Sequence, residues 1–326
     1  MPKDKVIITG VAGFIGSNLA KKLIDEGCEV IGIDNLSQGF LRNIEKLQAS
    51  DRFSFLEADV RDHDQLTRQL SSRAINCIVH LAAYKIPRYG NALETLMVNT
   101  KGTESMLNIA RAREAKFVFA STSDVYGKNP DLPFNEKANL VLGSSTVKRW
   151  AYATSKVFDE HLCFAYQESF GTRVSIIRFF GGYGPHQNTT WWGGPQSVFI
   201  DCAFHDKPMP LHGGGNQTRS FTYVDDMVNG IHLALKNPRA DGEIFNIGND
   251  REISIRELAH MVWGMIRDTE PKTDIIEYES LSKGYEDVTR RIPDLSKARD
   301  LLGYSATVQL EEGLPVTIDW QRSISG

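Results

Sequence analysis

The sequence predicts an α/β fold, a doubly wound parallel sheet followed by a smaller C-terminal domain. Three observations carry that expectation. Short β-branched apolar runs alternate with helical stretches as far as Ile177. A strand, glycine turn, helix and second strand open the chain within residues 6–35. Beyond Arg178 the alternation weakens into glycine- and aromatic-rich segments.

The opening unit reads V-I-I-T-G-V-A-G-F-I-G, then a helical pattern at Phe14, Ile15, Leu19, Leu23 and Ile24 that stops at Gly27, then V-I-G-I-D-N. Glycines at 10, 13 and 16 suit the close approach of a pyrophosphate to backbone. Gly10 permits the turn, Gly13 leaves room for phosphate, and Gly16 lets helix pack on strand while the helix N-terminus, opening at Phe14 and Ile15, offers N–H groups. Asp34, followed by Asn35, ends the second strand where a carboxylate accepts both ribose hydroxyls of an adenosine and repels a 2′-phosphate. The expected cofactor is therefore NAD.

The remaining elements follow in order. Residues 41–48 read as a short helix and 53–56 as a strand leading to Asp59 and Val60, where an acid could meet the adenine amino group. A capped helix is predicted over 62–70 and a fourth strand over 77–81, running into Ala82 and Ala83, small enough for contact with a flat cofactor. A long helix is predicted over 91–113, a strand over 117–120, a helix over 151–170 and a strand over 174–177. Residues 181–194, rich in glycine and aromatics, read as a loop over a ligand. Helices are predicted over 223–235 and 254–266 with a strand between them at 244–247, and 294–320 reads as short helices and turns. The expected division is a cofactor domain of 1–180 with 220–250 and a substrate domain of 181–219 with 251–326.

Composition narrows the function classes. The chain has 326 residues, 41% hydrophobic, with net charge −4 and no basic run, so nucleic acid is not an expected partner. Cys28, Cys77, Cys163 and Cys202 are scattered without metal-ligand spacing, which implies a reducing compartment and no metal. The first strand begins almost at once, leaving no space for a signal peptide, and no apolar run suits a bilayer. A cytoplasmic protein is expected.

Tyr152 and Lys156 are four apart on a predicted helix and share a face. A nearby ammonium favours phenolate, which would draw the tyrosine toward service as a base. They follow S-T-S-D-V-Y-G, whose Ser121, Thr122 and Ser123 end a strand at the ligand edge of the sheet, where hydroxyls can orient a substrate alcohol.

With these motifs the chain resembles the extended short-chain dehydrogenases, a Rossmann-type family, and within them the nucleotide-sugar epimerases, dehydratases and decarboxylases. The resemblance runs over nearly the whole length. It takes in the glycine turn, Asp34, Asp59-Val60, His80-Leu81-Ala82-Ala83, Asn99 in V-N-T-K-G-T, S-T-S-D-V-Y-G, Tyr152 with Lys156, R-F-F-G-G-Y-G-P, G-G-G-N-Q-T-R-S-F-T-Y-V-D-D and R-R-I-P-D-L-S-K-A. It implies a bound NAD that takes a hydride from sugar C4 and usually returns it. Tyr152 would be the base on the C4 hydroxyl, Lys156 would hold the nicotinamide ribose, and Thr122 would bond the same hydroxyl. Asn99 would join the cofactor set, and Arg219 and Arg290 would hold the nucleotide diphosphate. A homodimer through the helices predicted at 91–113 and 151–170 is also implied. Where the family usually has asparagine this chain has Gly181, which suggests room for a larger or differently placed sugar. Trp191 and Trp192 have no counterpart in the resemblance.

The reaction is read from the residues after Thr122. The 4,6-dehydratases resemble T-D-E there, and Ser123 lacks the acid that dehydration needs. The UDP-glucuronate decarboxylases resemble T-S-E, so Ser123 matches and Asp124 is one methylene short; K-R-W-A-Y-A-T-S-K also looks like some of them. Lys85, close after His80-Leu81-Ala82-Ala83, resembles a lysine near the cofactor in UDP-galactose 4-epimerases. The expectation adopted is a 4-epimerase acting on a UDP-hexose or related sugar nucleotide through a 4-keto intermediate, with the decarboxylase as runner-up and an NAD-binding regulator as the non-enzyme alternative.

Overall fold

The computed structural model describes residues 4–85, 91–278 and 287–325. Its centre is a parallel sheet with strand order β3-β2-β1-β4-β5-β6-β11, made of β1 (Lys5–Thr9), β2 (Glu29–Asp34), β3 (Phe53–Glu57), β4 (Cys77–His80), β5 (Lys116–Thr122), β6 (Val174–Phe179) and β11 (Glu243–Ile247). The chain moves outward from β1 to β3, then returns across β1 to place β4 on its other side. That reversal opens a crevice at the carboxyl ends of β1 and β4, where ligands of such sheets bind.

Alternation along the strands divides the core into two layers. Ile7, Ile31 and Ile33 face one layer with Leu66 of α2 (His63–Gln69), Met106, Leu107 and Ile109 of α3 (Ala92–Ala112) and Cys163 of α4 (Trp150–Phe170). Val6, Ile8 and Val30 face the other, with Leu19 and Leu23 of α1 (Phe14–Asp25) and Val228 and Ile231 of α6 (Val224–Lys236). Strands buried on both faces need the near-continuous apolar runs seen in the sequence.

Beyond β6, three small sheets build the other wall of the crevice: β7 (Gly182–Tyr183) with β10 (Thr222–Tyr223), β8 (Met209–His212) with β13 (Thr273–Ile276), and β9 (Thr218–Ser220) between β12 (Glu252–Ser254) and β14 (Arg290–Arg291). The expected helix at 41–48 is instead two 3-10 turns, Leu41–Asn43 and Glu45–Ala49. Two further elements differ from expectation. Helix α5 (Pro195–Phe204), where no element was expected, follows directly on the glycine loop, and its proline at the first helical position loses no hydrogen bond. Helix Leu310–Ile324 runs unbroken through Pro315, held by a Gln309–Glu312 capping box and by burial of Leu310, Leu314 and Ile318. Among the described residues no helix is long and apolar enough to cross a membrane, and no group of three or more His, Cys, Asp or Glu could hold a metal.

Candidate active site

One crevice of about 660 Å³ collects nearly all the residues singled out in the sequence. At its cofactor end Gly10 has φ +71°, and a Cβ there would lie 2.9 Å from the Ala82 nitrogen. A Cβ on Gly16 would fall 2.2 Å from the Gly10 carbonyl oxygen. The turn is thus drawn against the end of β4 and under the start of α1, with Gly13, Phe14 and Ile15 on the crevice wall. Ala12 and Leu36 donate backbone N–H bonds to the two Asp34 oxygens, at 3.0 and 2.9 Å. Burial pushes the Asp34 carboxyl up and these two bonds pull against it. The cradle and the fixed carboxylate beside it fit an NAD adenosine and pyrophosphate. Asn35, Val60, Leu81, Ala82, Ala83 and Lys85 also line this crevice.

Two expected cofactor residues do other work. The Asp59 carboxylate is gripped by Arg61 through Nε at 2.9 Å and Nη2 at 2.7 Å, and by the Asn35 amide at 3.1 Å. The Arg61 bond holds its carboxyl below the usual range, and Arg61 rather than Asp59 lines the crevice. Asn99 is buried behind the wall: its oxygen accepts from the Tyr84 N–H at 2.8 Å and its amide donates to Ser155 Oγ at 2.9 Å. It ties the segment after β4 to the helix that carries Tyr152, a bracing role that composition and spacing do not distinguish from ligand contact.

At the centre, β5 delivers Thr122 and α4 delivers Tyr152 to the same part of the crevice. Glu160 secures that alignment, accepting from Ser121 of β5 at 2.5 Å and from Arg178 of β6 at 2.9 and 2.6 Å. Lys156 Nζ lies 4.5 Å from the centroid of the Phe119 ring. The expected depression of the Tyr152 pKa is not produced by the protein's own groups. Burial and the Asp124 carboxylate drive it up, while Thr122 and Arg291 pull it down. Lys156 is itself driven down by burial, with Asp159 opposing.

The substrate end is an arginine cluster. Arg291 Nη2 is 2.8 Å from Asp124 Oδ1 and Arg149 Nη2 is 3.8 Å from the same oxygen, while Arg291 Nη1 reaches Ser123 Oγ at 3.5 Å. Asp287 Oδ1 joins Arg149 at 3.0 Å and Arg219 at 3.1 Å. Burial, with Arg291 beside it, brings Arg219 down to about 10, against the pull of Asp287. Lys85 is exposed along part of its side chain, yet the atoms crowding its ammonium lower its pKa to about 8, with the Asp124 charge opposing.

Arg290 is not part of this cluster. It forms a two-pronged pair with Glu252, both bonds 2.8 Å, away from the crevice. Successive residues of a strand point to opposite faces, so β14 sends Arg290 outward and Arg291 inward. Gly181 likewise does not make space: a Cβ there would meet the Ser220 carbonyl oxygen at 2.6 Å, and the Gly181 carbonyl accepts from Thr222 N at 2.6 Å. Close backbone approach explains this glycine. Trp191 stacks on His212 with centroids 4.7 Å apart, and Trp192 meets Tyr84 edge-on at 5.2 Å, so both rings are packing anchors and crevice wall together. Sequence reasoning missed Arg149 and Arg291; the available signals were the position of Arg149 three residues before Tyr152 and the doubled arginine of R-R-I-P-D. It also missed His186, which lines the crevice with φ +72° and Nδ1 2.9 Å from Ser17 Oγ.

A doubly wound sheet with a dinucleotide cradle, a tyrosine and lysine at its ligand edge and an arginine-lined second wall defines an NAD-dependent enzyme of nucleotide sugars. The chain belongs to the family described as GDP-mannose 4,6 dehydratase, whose profile matches residues 7–317. It is 32% identical to the UDP-N-acetyl-alpha-D-glucosaminuronate decarboxylase of Bacillus cytotoxicus, over 99% of both chains. It is 35% identical to UDP-glucuronic acid decarboxylase 1 of Xenopus tropicalis, over 98% of this chain and 72% of that protein. Among solved structures, the UDP-glucuronic acid 4-epimerase of Bacillus cereus with UDP-glucuronic acid and NAD aligns with a TM-score of 0.86 at 29% identity, covering 98% of this chain and 99% of the other. Epimerases and decarboxylases thus stand side by side among its relatives.

Proposed function

We propose that the protein is an NAD-dependent decarboxylase of a UDP-linked uronic acid. The observation that carries this reading is the Arg291–Asp124 pair beside Tyr152, with Arg149 at its back. A guanidinium next to the base that serves C4 is suited to a carboxylate on the neighbouring C5. Tyr152 takes the proton of the C4 hydroxyl with Thr122 holding the oxygen, and Lys156 faces the ribose side. When bound, NAD supplies the acceptor, and later the donor, of the C4 hydride. The resulting 4-keto uronate is a β-keto acid: its C5–C6 bond breaks, carbon dioxide leaves, the electron pair passes into the C4 enolate, and C5 then gains a proton. Arg291 and Arg149 orient the carboxylate, and Asp124 keeps those guanidiniums in place.

The 4-epimerase reading keeps one specific support. Lys85 lines the crevice, where a second cation suits the holding of a 4-keto sugar that must turn before accepting the hydride on its other face. Product mass separates the two on a panel of UDP-sugars. The expected result is stoichiometric carbon dioxide from a UDP-uronate, with most of it lost in Asp124→Asn. Mass-neutral conversion of a UDP-hexose, largely retained in Asp124→Asn, would replace the decarboxylase with the epimerase.

The same reading assigns 1–180 with 220–250 to the cofactor unit and 181–219 with 251–326 to the substrate unit, supported by β11 joining the main sheet and α6 packing on α1. We also propose a homodimer through α3 and α4, on which Leu93 and Phe158 remain 63% and 53% exposed. Light scattering at micromolar concentration should give twice the chain mass of 36.5 kDa, and a monomer would count against it. The four free cysteines fit a reducing compartment, supporting the cytoplasm.

A further inference from the structure

The helix that carries Tyr152 and Lys156 holds an acid that the chemistry above does not use. Asp159 lies almost one turn beyond Lys156 on α4 and is fully buried, and neither carboxylate oxygen has a hydrogen-bond partner among the described residues. The Thr103 hydroxyl of α3 is near enough to draw the carboxyl down yet lies outside hydrogen-bonding geometry. Lys156 is only 1% exposed, with the Phe119 ring of β5 on one side.

The other charged and titratable groups around the two are accounted for. On α4, Glu160 is committed to Arg178 and Ser121, and Cys163 is a buried thiol. From β4, His80 feels the Lys156 charge but is kept neutral by burial, with its pKa lowered to about 3. Tyr152 feels Asp159, which disfavours its phenolate. Burial drives the Asp159 carboxyl up to about 6 and the Lys156 ammonium down, and each is the leading charge that opposes the other's shift. A buried ammonium without a counter-charge sheds its proton.

We propose that Asp159 is the positioning residue that keeps the buried Lys156 charged, so that a bound NAD ribose and Tyr152 meet a cation and not a neutral amine. The inference rests on the NAD-dependent reading, with Lys156 on the ribose, and does not depend on which sugar nucleotide is turned over.

Two measurements test it. NAD affinity is titrated from pH 6 to 10 in the wild type and in Asp159→Asn. The loss of affinity at high pH should begin at least about one pH unit lower in the variant. An unchanged profile, or one lowered equally at every pH, would overturn the proposal, the second being what a purely packing role produces. The second measurement is a melting cycle at pH 8. Lys156→Met strands the Asp159 carboxylate and should lower the melting temperature, and adding Asp159→Asn should restore several degrees. Additive losses would overturn the pairing even if Asp159→Asn alone proves too unstable for binding work. Failure of the wild type to bind NAD would refute the cofactor reading instead, and would leave the melting cycle to judge the pair.

Discussion

Tyr152→Phe is expected to lower turnover by about 10²–10⁴ while leaving sugar-nucleotide and NAD affinities close to wild type. The ring keeps its place on α4 and its packing, so binding changes little. On the proposed reading, what disappears is the oxygen beside Thr122 that would take the proton of the C4 hydroxyl. The neighbouring carboxylate does not substitute for it, because Asp124 is engaged by Arg291 at 2.8 Å. Steady-state kcat, with binding followed by calorimetry, separates the two effects. Near-normal turnover in Tyr152→Phe would mean that the base lies elsewhere.

Gly16→Ala is expected to reduce NAD affinity by at least about 10²-fold, the scale on which a misplacement of about 1 Å weakens a preorganised site. The added Cβ would sit 2.2 Å from the Gly10 carbonyl oxygen and 2.8 Å from Val11 Cα. Both are backbone atoms of the turn, so the clash is relieved only by lifting α1 from the cradle and turning its N–H groups off the pyrophosphate. Gly264→Ala in α7 (Ile255–Ile266) is the control. A Cβ there meets nothing within 4 Å, and removing a mid-helix glycine should leave binding intact and stability slightly raised. Equal NAD affinity in Gly16→Ala and wild type would refute the assignment of this turn as the cradle.

The parts of this protein legible from sequence were those set by local chemistry. Strands buried on both faces must be apolar runs, a turn under a phosphate must be glycine, and a carboxylate on ribose must end the second strand; each leaves a contiguous pattern. Tyr152 and Lys156 belong to the same class, since helical periodicity alone places them together. At the adenine side a residue two positions away, Arg61, closes on the Asp59 carboxylate and lines the crevice in its place. The choice between Arg290 and Arg291 belonged to tertiary structure too: both are arginines in one motif, and only the pairing of β14 with β9 decides which one faces Asp124. Arg149, Asp287 and Arg219 come from three segments far apart in the chain, and no spacing rule joins them. Sequence determined the frame and the Tyr152–Lys156 pair because those depend on neighbours along the chain. The arginine and carboxylate arrangement at the other end of the crevice depends on neighbours across space, and only the folded structure decided it.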